Sequence, residues 1–349
     1  MLQPMNEQDA QAAAVAVYLD QHPDVIPKGG AVAIFRAVAA AYLDDFASDA
    51  LHCRQSLKPA ADALARRGLD PAAAITPPVS LAIVFATKHR EEVLYHIAEA
   101  VDLLVEGGSL IIVAANDLGA ASLEKRCAEV MGSVIPFSKH KCRVLRATRE
   151  SARIDAVRLA DWRRAGELQL VPQTGLFSRP GLFSWKAIDA GSRLLAAHLP
   201  ADLAGSGADM GAGYGYLSRE SLRQSPGITE LHLFEAEQKA LAAAERNLAP
   251  FAEGRSLHFH WADVTAGLPL KRLDFILMNP PFHAGRGALP ALGSAFVRQA
   301  MMALRPGGRL FLVANRHLPY EGEIEAMAGR IEQAEQDNGY KVIVARKIT

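Results

Sequence analysis

Only three of the 349 residues are cysteine, Cys53, Cys127 and Cys142. That is too few for a disulfide framework and suits a reducing compartment. None belongs to a CxxC pair, and no cysteine–histidine cluster has zinc spacing, so no metal is expected. The chain has no net charge, because 38 basic side chains balance 38 acidic ones. This excludes a strongly polycationic nucleic-acid binder but leaves room for a local basic surface. No stretch approaches roughly 18 uninterrupted apolar residues, so no membrane span is expected. The first segment carries Glu7, Asp9 and Asp20. It lacks the basic start and apolar core of a secretory leader, and a cytoplasmic protein is expected.

What the chain has is apolar material. Hydrophobic residues make up 50% of it, enough for two buried cores. At roughly 100–200 residues per domain, the length suggests two domains. A monomer is expected.

The charge is unevenly spread. Residues 1–138 hold 10 basic and 17 acidic side chains, a net of −7. Residues 139–170 hold 9 and 4, a net of +5, and residues 171–349 hold 19 and 17, a net of +2. The middle run, from Lys139 to Arg164, reads either as a phosphate-tracking surface or as a solvated linker and edge strand.

Two segments 200 residues apart share a pattern. Leu104-Val-Glu-Gly-Gly-Ser-Leu-Ile-Ile-Val-Ala114 matches Leu304-Arg-Pro-Gly-Gly-Arg-Leu-Phe-Leu-Val-Ala314. Each reads as a helix end, a Gly-Gly stop and a buried strand. Apolar runs stand upstream of both, Leu81–Phe85 and Leu273–Leu277. The pattern suggests a duplicated α/β unit, with domains at 1–165 and 166–349.

The second half alternates strands with helices. Strands are expected at Ile228–Glu235, Ser256–Asp263, Leu273–Met278 and Arg309–Ala314, with helices at Tyr216–Arg223, Glu237–Leu248 and Ala291–Leu304. Asp337-Asn338-Gly339 signals a hairpin before Lys341–Lys347. The expected fold class is α/β: two tandem Rossmann-like domains, each a mostly parallel doubly wound sheet, with an antiparallel edge strand in the second.

Asp209-Met-Gly211-Ala-Gly213-Tyr-Gly215 lies between a strand and a helix. Glycines there permit positive φ and close approach of a ligand to the backbone. Glu235 closes the next strand, where a carboxylate can accept from both hydroxyls of a ribose. Asp263 closes the third, where it could accept from an adenine amino group. The same residues also suit a helix cap and ordinary polar strand ends. Their position at successive carboxyl ends of one sheet, where such sheets bind ligands, favours a nucleoside site.

Asn279-Pro280-Pro281-Phe282 follows the fourth strand. Two prolines stiffen the chain and hold Asn279 extended. The Asn279 side-chain carbonyl and the Pro280 backbone carbonyl can both accept from an exocyclic amine, and Phe282 can stack on a planar base. A conjugated nitrogen is a poor nucleophile. Two acceptors can draw it toward tetrahedral geometry and free its lone pair for an in-line methyl group. A strand-terminating turn is the plainer use of Pro-Pro.

These residues resemble class I S-adenosylmethionine-dependent methyltransferases of the amino-methylating type. Gly175-Leu-Phe177-Ser178-Arg179-Pro-Gly181, Asp189-Ala-Gly191-Ser192, Asn279-Pro-Pro-Phe-His283 and Val313-Ala-Asn-Arg-His-Leu-Pro-Tyr320 resemble the RsmC family of small-subunit ribosomal RNA guanine-N2 methyltransferases. The likeness covers most of residues 170–349 and is vaguer over 1–165, where that family carries a degenerate methyltransferase domain. The resemblance implies S-adenosylmethionine as cofactor, with Asp209, Gly211 and Gly213 at its methionine end, Glu235 at the ribose and Asp263 at the adenine, and Gly215 among the cofactor-binding residues. It implies that Phe177 and Arg179 lie near the cofactor and base entrance, and that His283 and Arg286 reach the RNA backbone. Asn279, Pro280 and Phe282 would carry catalysis. The implied partner is rRNA within the assembled small subunit, with the target base flipped out of its stack. The first domain would serve folding or docking.

Other readings remain. A large-subunit rRNA guanine-N2 enzyme has a similar two-domain build. A release-factor glutamine-N5 methyltransferase also uses Asn-Pro-Pro-aromatic, but typically with Tyr and without a duplicated first half. A ribosome-assembly factor without catalysis would not need Asn279. A nicotinamide-dependent dehydrogenase would give Asn-Pro-Pro-Phe no role.

Overall fold

Apolar runs build one large sheet in each half of the chain, and two short two-stranded sheets accompany the second. The computed structural model describes residues 7–71, 75, 78–281, 283–284, 287–288, 290–337 and 339–349. The chain divides into two units, Met1–Glu167 and Leu168–Thr349.

The first unit has helices α1 (Glu7–Gln21), α2 (Lys58–Ala65), α3 (Arg90–Leu103), α4 (Ala120–Met131) and α5 (Ala156–Ala165). Its strands are β1 (Ala31–Phe35), β2 (Leu51–Arg54), β3 (Val79–Phe85), β4 (Leu104–Ala115), β5 (Ile135–Lys139) and β6 (Cys142–Thr148). They form a six-stranded sheet in the order β2-β1-β3-β4-β6-β5. β1 to β4 run parallel, while β5 and β6 are antiparallel additions. β3 and the Leu110–Ala115 part of β4 are buried nearly throughout because helices cover both faces, which is why they read as continuous apolar runs. Alternate residues feed two cores: Ala82, Val84 and Ile112 on one face, Leu81, Ile83 and Ile111 on the other. All three cysteines are free and buried.

The second unit has strands β7 (Gln169–Val171), β8 (Leu176–Ser178), β9 (Gly205–Met210), β10 (Ile228–Glu235), β11 (Ser256–Trp261), β12 (Leu273–Met278), β13 (His283–Ala284), β14 (Gly287–Ala288), β15 (Leu304–Asn315), β16 (Gly329–Asp337) and β17 (Tyr340–Lys347). Its helices are α6 (Ala190–Ala197), α7 (Tyr216–Gln224), α8 (Gln238–Leu248), α9 (Pro290–Ala303) and α10 (Tyr320–Ala326). The main sheet has seven strands in the order β11-β10-β9-β12-β15-β17-β16, with β17 and β16 antiparallel. Both units are therefore mostly parallel doubly wound sheets, and the antiparallel edge expected of the second is present in the first as well.

The Gly-Gly segments differ in detail from the expected helix stop. The helices end at Leu103 and Ala303, and the extended chain starts immediately at Leu104 and Leu304. The glycines sit inside a register shift, between Val79↔Leu104 and Leu81↔Ser109 in one unit and between Leu273↔Leu304 and Phe275↔Arg309 in the other. Gly107 and Gly307 have φ of 77° and 79°. A Cβ on Gly108 or Gly308 would stand 2.9 Å from the carbonyl of Val105 or Arg305. The pattern therefore encodes a bulge that only glycine fits.

Register aligns the two units residue by residue. Val84 pairs with Ile112 and Met278 with Leu312. Phe85, the next residue, therefore stands where Asn279 stands. Phe35 pairs with Val84 as Met210 pairs with Met278, which sets Ile34 against Asp209 and Arg36 against Gly211. Arg36 keeps the left-handed φ, 55° against 78°. Arg54 and Phe234 then correspond, so Gln55 stands where Glu235 stands. Gln55 Oε1 accepts from the backbone N–H two residues on, as Glu235 Oε1 does. Phe85 is buried and packs on Tyr42.

The basic run from Lys139 to Arg164 is not a linker between the two units. It forms β6 and α5 inside the first unit. Its arginines meet that unit's acidic excess: Arg143 pairs with Glu124, Arg146 with Asp24, Arg149 with Glu106, Arg158 with Glu129 and Arg163 with Asp102.

Candidate active site at the carboxyl ends of the second sheet

Strand β9 delivers Asp209 into full burial, and the chain then turns through Gly211, Gly213 and Gly215 with φ of 78°, 55° and 85°. Gly215 precedes α7, and a Cβ on it would lie 3.1 Å from the Ala244 side chain on α8, so its role is packing. A Cβ on Gly213 would meet nothing within 4 Å. That side of the turn faces open space.

Asp209 Oδ2 accepts from the Ser218 hydroxyl at 2.7 Å and the Ser218 N–H at 3.1 Å, which ties the strand end to α7. Its other oxygen, Oδ1, is buried without a hydrogen-bond partner among the described residues. Burial pushes the carboxyl up to about 7, against the opposing pull of the Ser218 bonds.

Glu235 ends β10 half-buried. Its Oε2 accepts from Gly213 N–H at 2.8 Å, so the carboxylate holds the glycine turn in place. Its Oε1 accepts from Glu237 N–H at 2.9 Å. Burial holds its carboxyl above the usual range despite these donors. Asp263 lies two residues past β11, later than expected. Its Oδ1 caps a short helical turn through Thr265 N–H at 2.9 Å and the Thr265 hydroxyl at 2.7 Å.

Asn279 follows β12. Its amide nitrogen donates to Asp189 Oδ2 at 2.9 Å and to the Ser192 hydroxyl at 2.7 Å. Asp189 is itself fixed, because it caps α6 through Ser192 N–H at 2.8 Å. Both amide hydrogens are thereby used. A flipped amide would set two acceptor oxygens against each other, so the network fixes the orientation. The Asn279 carbonyl oxygen is left to accept, in a cleft lined by Gly211, Gly213, Tyr216, Asp189, Ser192 and Phe183. Pro280 is buried and Pro281 exposed, so the chain is anchored immediately beyond the amide.

Other sequence-predicted residues stand elsewhere. Phe177, on β8, is clamped by Asn247, which accepts from its N–H at 2.7 Å and donates to its carbonyl at 2.9 Å. Its ring lies under the Arg246 guanidinium, 4.0 Å from the ring centre. Arg179 lines a groove with Gln238, Lys239, Phe259 and Trp261. Neither lines the Asn279 cleft. Phe282 and Arg286 lie outside the described residues, and of His283 only the backbone, paired with Ala288, is described.

Sequence reasoning missed Asp189 and Ser192 as partners of Asn279, although it noted the segment. It also passed over Phe183, an aromatic 66% exposed at the mouth of the cleft. The available signal was a Phe and a Trp within three residues of each other in a loop.

The fold and this site define a class I methyltransferase. A family model described as methyltransferase small domain matches residues 173–344, and one described as methyltransferase small domain N-terminal matches residues 37–165. The ribosomal RNA small subunit methyltransferase C of Shewanella loihica is 30% identical over 270 residues, 76% of this chain and 76% of that protein. Its counterpart in Shewanella baltica strain OS155 is 31% identical over 263 residues, 74% of each. The T. thermophilus 16S rRNA N2 methyltransferase RsmC, solved with AdoMet and guanosine, superposes with a TM-score of 0.75. It covers 94% of this chain and 91% of its own at 24% identity, and so shares the fold. The chain belongs to the ribosomal RNA small subunit methyltransferase C family.

Proposed function

We propose that this chain methylates the exocyclic N2 of a guanine in 16S rRNA, with S-adenosylmethionine as methyl donor. The observation that carries this reading is the locked Asn279 amide, whose nitrogen is held by Asp189 and Ser192 in the cleft beside the glycine turn, leaving its carbonyl oxygen as the acceptor.

The residues present fit the cofactor. The open side of Gly213 leaves room against the backbone, and the buried, unpaired Asp209 Oδ1 is an acceptor in want of a cationic donor. Gly211 and Asp209 would hold the methionine end, Glu235 the ribose and Asp263 the adenine. When bound, S-adenosylmethionine supplies an electrophilic sulfonium methyl group. The chain does the rest. Asn279 Oδ1 and the Pro280 carbonyl accept from the guanine amino group and localise its lone pair, and Phe282 stacks on the base. Phe183 adds a second aromatic face at the cleft mouth.

The first unit does not repeat this chemistry. Phe85, Ile34 and Gln55 fill the places of Asn279, Asp209 and Glu235, which supports a docking or folding role for it. The substrate is the assembled 30S subunit in the cytoplasm, and one chain supplies the whole cleft, which favours a monomer. Transfer of tritium from labelled S-adenosylmethionine tests the reading with 30S subunits from a deletion strain, 50S subunits and naked 16S rRNA. Label in 30S, mapped to guanine N2, is expected. Label confined to 50S or to protein would replace this substrate with another.

A further inference from the structure

We propose that Glu230, His232 and His258 form a binding site for one divalent transition-metal ion of the zinc class, on the β10–β11 edge of the second sheet. Among the described residues these are the side chains that gather three potential ligand atoms within 4.8 Å of one another.

The backbone builds the cluster by register. His232 on β10 lies directly opposite His258 on β11, and Glu230 is two residues before His232, on the same face. The sequence signal is an E-x-H on one strand beside an H-x-H on the next. It contains no cysteine and none of the loop spacings usual for zinc, so the expectation of no metal passed over it. The first unit has His52 at the place of His232 but, among the described residues, no strand corresponding to β11.

The distances have the size that metal geometry requires. Glu230 Oε1 lies 3.4 Å from His232 Nε2 and 3.4 Å from His258 Nε2. A tetrahedral zinc site with bonds of about 2.0–2.1 Å has neighbouring ligand atoms about 3.3 Å apart. The His232 and His258 rings are stacked, 4.5 Å between centres and 14° apart, so both nitrogens point to the same side of the ladder.

The surroundings supply the supports a metal site needs. His232 Nδ1 lies 3.0 Å from His260 Nε2. With Nδ1 donating to His260, His232 Nε2 is left as a bare lone pair. In the metal-free chain the other tautomer, with Nε2–H donating to Glu230 and Nδ1 accepting from His260 Nε2–H, bridges the same groups, and a divalent ion selects the tautomer whose Nε2 is free. The Ser206 hydroxyl donates to the Glu230 carboxylate and helps to orient it. Such outer partners orient ligands and fix tautomers. His258 is 44% exposed, so an ion can enter from solvent and keep a water as its fourth ligand.

An ion here would clamp edge strand β11 to β10. The test uses the untagged full-length chain stripped with EDTA and titrated calorimetrically with zinc chloride. One ion per chain is expected, with a rise in melting temperature and slower amide exchange along β11. Cobalt is expected to give the intense visible absorption of a tetrahedral site. His258→Gln and Glu230→Gln, both at accessible positions, are each expected to weaken zinc binding by about 100-fold while leaving the melting temperature in EDTA unchanged. The proposal is overturned if zinc does not bind saturably, or if both variants bind it as the parent chain does. Neither readout depends on methyl transfer.

Discussion

Asp189 Oδ2 accepts a hydrogen bond from the Asn279 amide at 2.9 Å, joining the cap of α6 to the end of β12 across 90 residues. With Ser192 it consumes the amide's donor capacity and so decides which atom of Asn279 faces the cleft. Asp189 is a positioning residue, and that role separates experimentally from its cap. Asp189→Ala loses both, while Asp189→Asn keeps an oxygen for the cap and for Asn279. The alanine variant is expected to melt lower, by about 1 kcal/mol for the lost cap. Its kcat should fall at least 10-fold with KM for S-adenosylmethionine unchanged. The asparagine variant should recover most of kcat. If neither variant changes kcat, Asp189 serves only the helix.

Removing the acceptor itself is more severe. Asn279→Ala is expected to lower kcat on the order of 100- to 1,000-fold, the usual cost of deleting one preorganised hydrogen-bonding group at a reacting centre. Calorimetric affinity for S-adenosylmethionine should stay within severalfold. Parallel loss of both would mean that Asn279 chiefly supports the fold of the turn.

Phe183 is exposed and stands at the cleft mouth, away from the glycine turn's packing against α8. Phe183→Ala should therefore leave the melting temperature intact. If the ring stacks on the incoming base, KM for 30S subunits rises by about 5- to 10-fold, in line with roughly 1–3 kcal/mol per stacked base. An unchanged KM would remove Phe183 from the substrate path.

Close backbone packing gives a prediction for stability. A Cβ on Gly207, in β9, would lie 2.1 Å from the Phe275 ring, which is 1% exposed and cannot move aside. Gly207→Ala is expected to cost about 1–3 kcal/mol by overpacking. Urea denaturation of the chain without cofactor measures it, and a cost near zero would mean the sheet yields where the structure has it tight.

What the sequence disclosed, and what it hid, divides along physical lines. β10 and β12 were legible to the residue because apolar periodicity sets strand extent. The glycine turn and Glu235 were legible because backbone geometry restricts residue type. The Asp189–Asn279 bond was not, since a link between residues so far apart leaves no local period. The pairing of the basic run was not legible because its counter-charges, such as Asp24 and Asp102, come from distant parts of the first unit. Phe85 hid its correspondence to Asn279: as a strand residue it merely extends an apolar run, and only register sets the two against each other.

The buried Asp209 makes stability depend on pH in a direction opposite to that of a salt-bridged carboxylate. Its pKa rises from 3.8 in the unfolded chain to about 7 in the folded one. Between those values the folded state holds the extra proton, so the contribution is full below about pH 4 and is lost as pH rises through about 7. Glu235 is shifted in the same direction by burial and adds to the trend. The slope expected from Asp209 alone is at most about 1.4 kcal/mol per pH unit. Asp209→Asn removes this titration and retains an oxygen for Ser218. The variant should therefore show a flatter stability profile between pH 5 and pH 8 than the parent chain, measured by urea unfolding at each pH. A cation bound beside Oδ1 favours the ionised form, so saturating S-adenosylmethionine should flatten the parent profile as well. Parallel slopes for the two chains without cofactor would show that Asp209 keeps its proton affinity unchanged on folding, and that its unpaired oxygen meets water.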